Sequence, residues 1–168
     1  MQFDDSDLGD GLKVVFRDHP AAVTLITAIT PDGPVGLTAS SLASVAVDPP
    51  AVSFSVTRAT GTAGALLGAG TIQVHFLAGH HADVASQFAV TGGDRFTDGQ
   101  GWSSHPDGAP RLAGTRARFV ANIVETVPVG GSVLVVAEVV AIETGETAPP
   151  LLYADRVFFT ADPANAPL

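Results

Sequence analysis

The chain has 168 residues, no cysteine, and 8 basic against 17 acidic side chains, which gives a formal net charge of −9. The lack of cysteine excludes disulfides, thiolate metal sites and cysteine nucleophiles, and the negative charge disfavours a nucleic-acid partner. Only 15% of the residues are charged, against about 25% in an ordinary globular protein, so we expect a homodimer with an apolar interface. A monomer rich in alanine and glycine is the alternative.

The N-terminal segment and the apolar runs predict neither a signal peptide nor a membrane span. Residues 1–10 are a loose acidic lead and lack the pattern of a signal peptide. The longest apolar run, residues 133–142, is interrupted by Glu138 and is too short to cross a bilayer. We therefore expect one domain over residues 1–168, in the cytoplasm and without membrane contact.

The first half of the chain predicts short strands and helices in alternation. Helical spacing runs from Leu12 to Phe16 and ends at Pro20. The turn residues 31–34 separate two strand-like runs. In chain order, the predicted strands are 23–30, 35–39, 51–56 and 71–77, and the predicted helices are 63–69, with Thr62 as N-cap, and 82–89.

The second half reads mostly as strands. Residues 91–114 form a long loop rich in glycine, aspartate, serine and proline, of the kind that is usually functional or packed on a partner. Apolar and polar residues alternate over 117–123, which predicts a half-buried strand. A turn at 128–132 and strands at 133–142, 151–153 and 157–160 complete the pattern. Many strands with a few short helices favour a closed or nearly closed antiparallel barrel.

The segment Gly36–Pro50, GLTASSLASVAVDPP, places uncharged hydroxyls between two apolar strand-like runs. A plain loop would carry more charge and glycine, and a plain strand would not carry consecutive serines. Polar but uncharged groups beside a hydrophobic wall suit a ligand with a neutral polar edge. A polar strand edge with a hydroxyl-bonded turn is an equally good interpretation of this segment alone.

The segment Ser55–Thr62, SVTRATGT, is the best candidate for an anion site. A strand ends there and a helix begins, and a helix start offers unpaired N–H groups and the positive end of a dipole. Arg58 adds a forked cation for phosphate oxygens. Thr60 and Thr62 add hydroxyl donors. An ordinary capped helix with a surface arginine is the alternative. Together with the hydroxyl segment, this pattern suits a flat heteroaromatic ring that carries a phosphate, such as a flavin.

The sequence resembles the flavin reductase-like, FMN-binding split-barrel family over roughly residues 12–160. The matching stretches are FRDHPAAVTLIT (16–27), PVGLTASSLASVAVDPPAVSFSV (34–56), GTIQVHFLAGHHADVASQFA (70–89), DRF (94–96), the tryptophan, proline and leucine at 102, 110 and 112, and PLLY (150–153). The resemblance implies a mainly β fold, a six-stranded antiparallel Greek-key split barrel with a few short helices. It also implies a homodimer that binds FMN or FAD near the subunit interface.

Site residues follow from the resemblance position by position. Thr38, Ala39, Ser40 and Ser41 would border the isoalloxazine ring. Ser55, Arg58, Thr60 and Thr62 would lie along the ribityl chain and phosphate. His75 stands beside the flavin where the family usually has asparagine, and Tyr153 with the Phe158 region would close the site. The reaction implied is hydride transfer from NADH or NADPH to the flavin, with reduced flavin often passed to a separate monooxygenase.

One family motif is replaced. The family commonly has Gly-Asp-His before its penultimate long strand, and here Gly130, Gly131 and Ser132 take those positions. With Ser132 and His75 as candidate catalytic residues, we expect an NAD(P)H-dependent flavin reductase. A non-enzymatic FMN-binding redox module is the alternative, and a barrel that has lost flavin for another small molecule is a third. FMN against FAD, and NADH against NADPH, stay open.

Other catalytic interpretations are weaker. The five histidines show no pair spaced by one helical turn and no converging carboxylates, so we expect no metal. Asp94, Asp98 and Asp107 lack the spacing of a calcium loop, and no strained Gly-x-Ser-x-Gly turn organises a hydrolase triad. Trp102 is better explained as loop packing or an interface anchor.

Overall fold

A computed structural model describes residues 7–161 of the chain. The protein is mainly β with a few short helices, as expected. Twelve strands occur in this part of the chain: β1 (Ala21–Ala22), β2 (Thr24–Thr30), β3 (Gly33–Ala39), β4 (Ala43–Val47), β5 (Pro50–Thr57), β6 (Thr71–Phe76), β7 (Trp102–Ser104), β8 (Pro110–Leu112), β9 (Ala117–Val129), β10 (Ser132–Thr144), β11 (Leu151–Ala154) and β12 (Val157–Thr160). The α-helices are α1 (Leu8–Arg17), α2 (Gly61–Gly68) and α3 (Ala82–Ala89), with 3₁₀ turns at Gly79–His81 and Asp98–Gln100.

Seven antiparallel strands form the main sheet, in the order β3-β2-β6-β9-β10-β5-β4. The expected count of six strands is therefore wrong, and the finer split-barrel topology is not confirmed. The additional strand is β4, which pairs with β5. It lies in the segment Gly36–Pro50, for which a polar strand edge with a turn was the alternative interpretation. Strands β1, β11 and β12 form a second sheet, and β7 and β8 form a hairpin within the predicted loop 91–114.

Tight two-residue turns set the register of the long strands. Pro31 and Asp32 join β2 to β3, since Thr30 already pairs with Gly33. Gly130 and Gly131 join β9 to β10, with Gly130 at φ 57°, a conformation that glycine adopts without steric cost. Strand β9 is longer than predicted because it continues to this turn. The predicted turns at 31–34 and 128–132 are each shortened to two residues.

Two apolar clusters cover the two faces of the sheet. The inner cluster packs α2 against the sheet and contains Ile26, Phe54, Leu66, Ile72, Val74 and Val135, each fully buried. The outer cluster packs α3 and the β7–β8 hairpin against β2 and β11, through Leu25, Leu77, Phe88, Leu112 and Leu151. Helices α2 and α3 both pack against the β2–β3 hairpin. This packing fixes the segment Gly36–Pro50 relative to the segment Ser55–Thr62.

Helix boundaries differ from the predictions at the chain start and at α2. Helix α1 begins at Leu8, inside the predicted acidic lead; residues 1–6 of that lead lie outside the described residues. The N-cap of α2 is Thr60, with extended backbone, and not Thr62, which lies in the first helical turn. No helix among residues 7–161 is both long enough and apolar enough to cross a membrane.

Candidate functional site

A cavity of about 440 Å³ opens where β3 ends and α3 passes beside β5. Its walls include five of the nine residues that the sequence predicts to bind cofactor: Thr38, Ala39, Ser40, Ser41 and Ser55. The remaining lining is Leu37, Val56, Thr57, Phe88 and Ala89. The fold therefore brings together Ser41 and Ser55, which are 14 residues apart, in a wall that combines hydroxyls with apolar and aromatic side chains.

Two of these hydroxyls are already engaged in shaping the cavity. The Ser41 hydroxyl accepts a hydrogen bond from the Ser55 backbone N–H at 2.9 Å and donates to the Ser55 carbonyl at 3.3 Å. The Thr38 hydroxyl donates to the Ala85 carbonyl at 2.7 Å and so ties α3 to β3. Ser40 and Ser55 are exposed, and neither side-chain hydroxyl has a hydrogen-bond partner within residues 7–161. Thr57, which also lines the cavity, is exposed as well, and its hydroxyl has no hydrogen-bond partner within residues 7–161. Ser40, Ser55 and Thr57 are thus the hydroxyls left for a ligand.

A second cavity of about 370 Å³ adjoins the first and shares Thr38, Ser40 and Ala89 with it. The predicted residue Tyr153 lines this second cavity, and its ring lies 5.0 Å from that of Phe158, centroid to centroid. The rest of its lining is Val23, Ser86, Val90 and Arg156. We refer to the two cavities together as the twin cleft.

The arginine turn, residues 58–60, joins the end of β5 to the start of α2. It follows Thr57, which lines the first cavity. Arg58 adopts φ 56° and donates its backbone N–H to the Gly131 carbonyl at 2.9 Å. Thr60 caps α2 with no side-chain hydrogen bond to the helix, so the first N–H groups of α2 are open to a ligand. The predicted phosphate residues Arg58, Thr60 and Thr62 therefore lie beside the cleft, although they do not line either cavity.

Arg95 contacts a predicted site residue, although the sequence did not single it out. One terminal nitrogen donates to the Thr62 hydroxyl at 3.2 Å, and the other donates to the Val90 carbonyl at 2.8 Å. Its guanidinium carbon lies 5.7 Å from the centre of the Phe88 ring. Arg95 thus links the start of α2 to the end of α3. An isolated basic residue in an acidic, glycine-rich loop was the signal that could have identified it.

His75 lies apart from the two cavities. It is completely buried in β6, and its Nε2 lies 3.1 Å from the Thr27 hydroxyl. Its ring packs edge-on against Trp102, with 5.5 Å between the ring centroids. Burial, and then the charges of Arg118 and His81, lower the pKa of His75 to about 3. The imidazole is therefore neutral at pH 7. Its predicted catalytic role stays a prediction, and the geometry gives it a packing role beneath the cleft.

Ser132 begins β10 directly opposite Thr57. The neighbouring Gly131 carbonyl accepts the Arg58 N–H, so the β9–β10 turn and the arginine turn are joined. Ser132 lies close in the sheet to the predicted phosphate segment but lines neither cavity.

A larger cavity of about 690 Å³ lies on the other side of α3 and has a different chemistry. It is lined by His80, His81, Asp83, Asp94 and Glu146 together with amides and glycines, and by no basic side chain apart from the two histidines. His81 uses both ring nitrogens within the protein, accepting from Ala78 N–H at 3.1 Å and donating to the Ala113 carbonyl at 2.9 Å. No group of three or more His, Cys, Asp or Glu side chains among residues 7–161 could hold a metal ion.

The donor set of the twin cleft fits a phosphorylated heteroaromatic ligand. Neutral hydroxyls and apolar walls suit a flat ring with a polar edge, and a helix start with a nearby arginine suits a phosphate. The fold and this cleft thus define a small, mainly β, nucleotide-binding protein.

The protein's family follows from comparison with known proteins. Residues 16–162 match the Flavin reductase like domain family, and the chain belongs to that family. It is 34% identical over 155 residues to an NADH:FMN oxidoreductase of Rhodococcus qingshengii, covering 90% of this chain and 81% of that protein. The family prediction is therefore confirmed.

Two solved structures share the fold. The Streptomyces globisporus NADH:FAD oxidoreductase SgcE6, solved in complex with NAD and FAD fragments, has a TM-score of 0.86 and 26% identity, covering 98% of this chain and 99% of that one. BorF, the flavin reductase component of a bacterial two-component tryptophan halogenase, has a TM-score of 0.79 and 27% identity, covering 90% and 97%.

Proposed function

We propose that this protein reduces FMN, with FAD as an alternative substrate, using NADH or NADPH as the electron donor. The observation that carries the proposal is the convergence of Thr38, Ala39, Ser40, Ser41 and Ser55 on one cavity beside the start of α2. The expected oxidoreductase class also agrees with the relatives' names, which include NADH:FMN oxidoreductase and FMN reductase (NADH).

The chain's own residues would divide the binding task between ring and phosphate. Ser40 and Ser55 would hydrogen-bond the polar edge of the flavin ring, while Phe88 and Ala89 supply an apolar wall. Arg58 and the open N–H groups of α2 would hold the phosphate. Arg95 would position Thr62 for the same phosphate. When bound, the flavin would supply a two-electron acceptor for the hydride of the reduced nicotinamide, and solvent would supply the one proton that completes the reduced flavin.

The protein's contribution to the rate would be mainly positioning. No aspartate, glutamate or histidine lines the twin cleft within residues 7–161, and His75 is neutral and buried. Tyr153 and Phe158 would cover the reacting rings from the β11–β12 hairpin and exclude water. Ser132, in the position of the family's histidine, would offer a hydroxyl where that histidine offers an imidazole.

Arg58→Gly tests the phosphate assignment. Glycine suits φ 56° better than arginine does, so the variant keeps the turn and loses only the cation. We expect the Kd for FMN, measured by quenching of flavin fluorescence, to rise about tenfold or more, because a charge-assisted hydrogen bond is worth roughly 1.5–3 kcal/mol. Arg111→Ala is the matched control, because Arg111 pairs with Glu143 away from the cleft. Equal FMN affinity in both variants would refute the assignment.

A second candidate is a flavin-binding redox module without turnover, which the replacement of the family's histidine by Ser132 favours. Anaerobic addition of NADH to the FMN-loaded protein separates the two candidates. Loss of flavin absorbance at a catalytic rate supports the reductase. Retained absorbance with tight FMN binding supports the module.

We further infer a homodimer in which the second copy lies near the cleft. In antiparallel pairs, directly opposite residues share a face, and the register places apolar residues of the β9–β10 hairpin on the same face as Ser55 and Ser132. These apolar residues are 40–63% exposed: Val127, Val129 and Leu134. Exposed apolar groups that are continuous with a ligand site mark an interaction surface.

A monooxygenase or halogenase that consumes reduced flavin is the downstream partner that this proposal implies. BorF, a reductase component of such a two-component system, shares the fold. A cytoplasmic location also remains our expectation, since the cytoplasm supplies reduced nicotinamide nucleotides.

A further inference from the structure

Most basic side chains of this acidic protein are used up by contacts within the chain. Six of its eight lysines and arginines have hydrogen-bonded partners: Lys13 with Asp10, Arg17 with Asp155, Arg95 with Thr62 and two carbonyls, Arg111 and Arg118 with Glu143, and Arg116 with the Ala148 carbonyl. Within residues 7–161, the side chains of Arg58 and Arg156 have no such partner. Arg156 lines the second cavity of the twin cleft, and Arg58 follows Thr57, which lines the first.

Arg58 and Arg156 also share an unusual backbone conformation. Their φ angles are 56° and 65°, in the left-handed region that Phe96 and Asp155 also adopt, which costs a non-glycine residue roughly 1–2 kcal/mol. Glycine would avoid that cost at either turn. Strained residues of this kind cluster at ligand sites, where a side chain is needed in spite of the backbone.

The turn that carries Arg156 is hydrogen-bonded to the end of α1. Asp155 and Arg156 form a two-residue turn between β11 and β12, since Ala154 pairs with Val157. The Arg17 side chain donates to Asp155 Oδ1 at 2.7 Å, and the Asp155 N–H donates to the Arg17 carbonyl at 2.6 Å. Asp155 is therefore neutralised by Arg17, and the positive charge of Arg156 stays available to the second cavity, which it lines.

We propose that Arg156 binds the pyrophosphate of the reduced nicotinamide dinucleotide. This inference rests on the proposed function and adds to it a residue that binds the electron donor. The second cavity meets the first at Thr38, Ser40 and Ala89, so a nicotinamide ring placed there adjoins a flavin ring in the first cavity. The dinucleotide's pyrophosphate then needs a cation on a protein whose net charge of −9 repels it. Arg156 is the one basic residue in the described lining of that cavity.

The test compares two electron donors on three proteins: wild type, Arg156→Gly and Arg156→Lys. The donors are NADH and 1-benzyl-1,4-dihydronicotinamide, which carries the same reacting ring without any phosphate. With saturating FMN, we expect Arg156→Gly to raise the KM for NADH about tenfold more than the KM for the benzyl compound. This ratio corresponds to about 1.4 kcal/mol. Arg156→Lys should restore much of the NADH affinity, since it keeps the charge.

Protein stability and direct binding complete the test. Arg156→Gly should keep or raise the Tm, because glycine relieves the left-handed conformation, so a weaker NADH affinity would not reflect misfolding. Titration calorimetry with NAD⁺ on the FMN-loaded protein should show the same loss of affinity without turnover. Arg111→Ala should leave both donors unchanged.

Three outcomes would overturn the inference: equal effects on both donors, no effect on NADH, or a loss confined to FMN or FAD affinity, which would assign Arg156 to the flavin. If the wild type oxidises neither donor, the proposed function fails by itself. The NAD⁺ titration would still show whether Arg156 holds the dinucleotide.

Discussion

Replacing His75 by asparagine should make the protein less sensitive to mild acid. The wild-type imidazole is completely buried in β6, and its pKa falls to about 3 because burial and the Arg118 charge disfavour the protonated form. In the unfolded chain the same group titrates near pH 6.5. Between those values the unfolded state binds more protons than the folded state, so stability falls as the pH falls.

The size of the effect follows from proton linkage. His75 alone should lower the free energy of unfolding by about 0.8 kcal/mol at pH 6 and about 2 kcal/mol at pH 5. Two kcal/mol is a large share of the roughly 5–15 kcal/mol that stabilises a typical domain. The lowered carboxyl pKa values of Asp107 and Glu143 remove stability only at more acidic pH, near and below 4.5. The interval from pH 7 to 5 therefore isolates the histidines.

Urea unfolding at pH 7, 6 and 5 measures this effect directly. Wild type and His75→Asn share His81, whose pKa burial also lowers, so the difference between their pH slopes reports His75. The altered contact with Thr27 changes stability at every pH, so the comparison uses slopes: from pH 7 to pH 5 the variant should lose about 2 kcal/mol less than wild type. Parallel curves within about 0.5 kcal/mol would show that the buried imidazole does not govern acid stability.

Two further predictions concern turnover and assembly. Ser132→Ala should lower the rate of anaerobic flavin reduction several-fold with an unchanged Kd for FMN; an unchanged rate would remove Ser132 from the catalytic residues. In size-exclusion chromatography with light scattering, the wild type should have about twice the mass of its 17.0 kDa chain. The double variant Leu134→Glu, Val129→Glu should shift the mass toward that of the monomer, because both side chains are exposed apolar groups. A wild-type monomer at micromolar concentration would contradict the dimer.

The sequence predicted two segments of the site because each segment carries its functional groups in consecutive or nearly consecutive residues. The hydroxyl run Thr38–Ser41 and the strand that ends in Arg58 each carry their signal within a few positions. Their combined chemistry suggested a phosphorylated ring, a family resemblance then assigned the positions, and the structure places five of the predicted residues in one cavity. Pattern and turn chemistry also located most strands.

Features that depend on long-range pairing escaped prediction. Strand β4 is short and exposed along most of its length, so no alternation of buried and exposed residues marks it. The β7–β8 hairpin lies in a segment whose composition predicts a loop. The contact between Arg95 and Thr62 joins residues 33 positions apart, and nothing in a local pattern shows where a long side chain points.

Hydroxyl count alone also overstated what a ligand can use. Thr38 and Ser41 satisfy backbone groups of the protein itself, because an unpaired polar group beside an apolar wall costs free energy. Their role in the cleft is to fix its walls. Ser40, Ser55 and Thr57 remain for recognition. A binding residue inferred from sequence therefore needs its internal hydrogen bonds counted before it is assigned to a ligand.

If the proposed sites are right, the distribution of charge would make the cleft selective for anionic nucleotides. An acidic surface repels such ligands in general, and the large cavity beside His80 and Glu146 is acidic as well. Of the two arginines without a side-chain partner within residues 7–161, Arg156 lines the second cavity and Arg58 follows Thr57 of the first, each in the left-handed conformation. Two anionic ligands bound side by side would each meet one cation, and their reacting rings would meet where the two cavities share Thr38, Ser40 and Ala89. A neutral ligand would gain nothing from this arrangement, which is why the phosphate-free donor separates binding by charge from binding by shape.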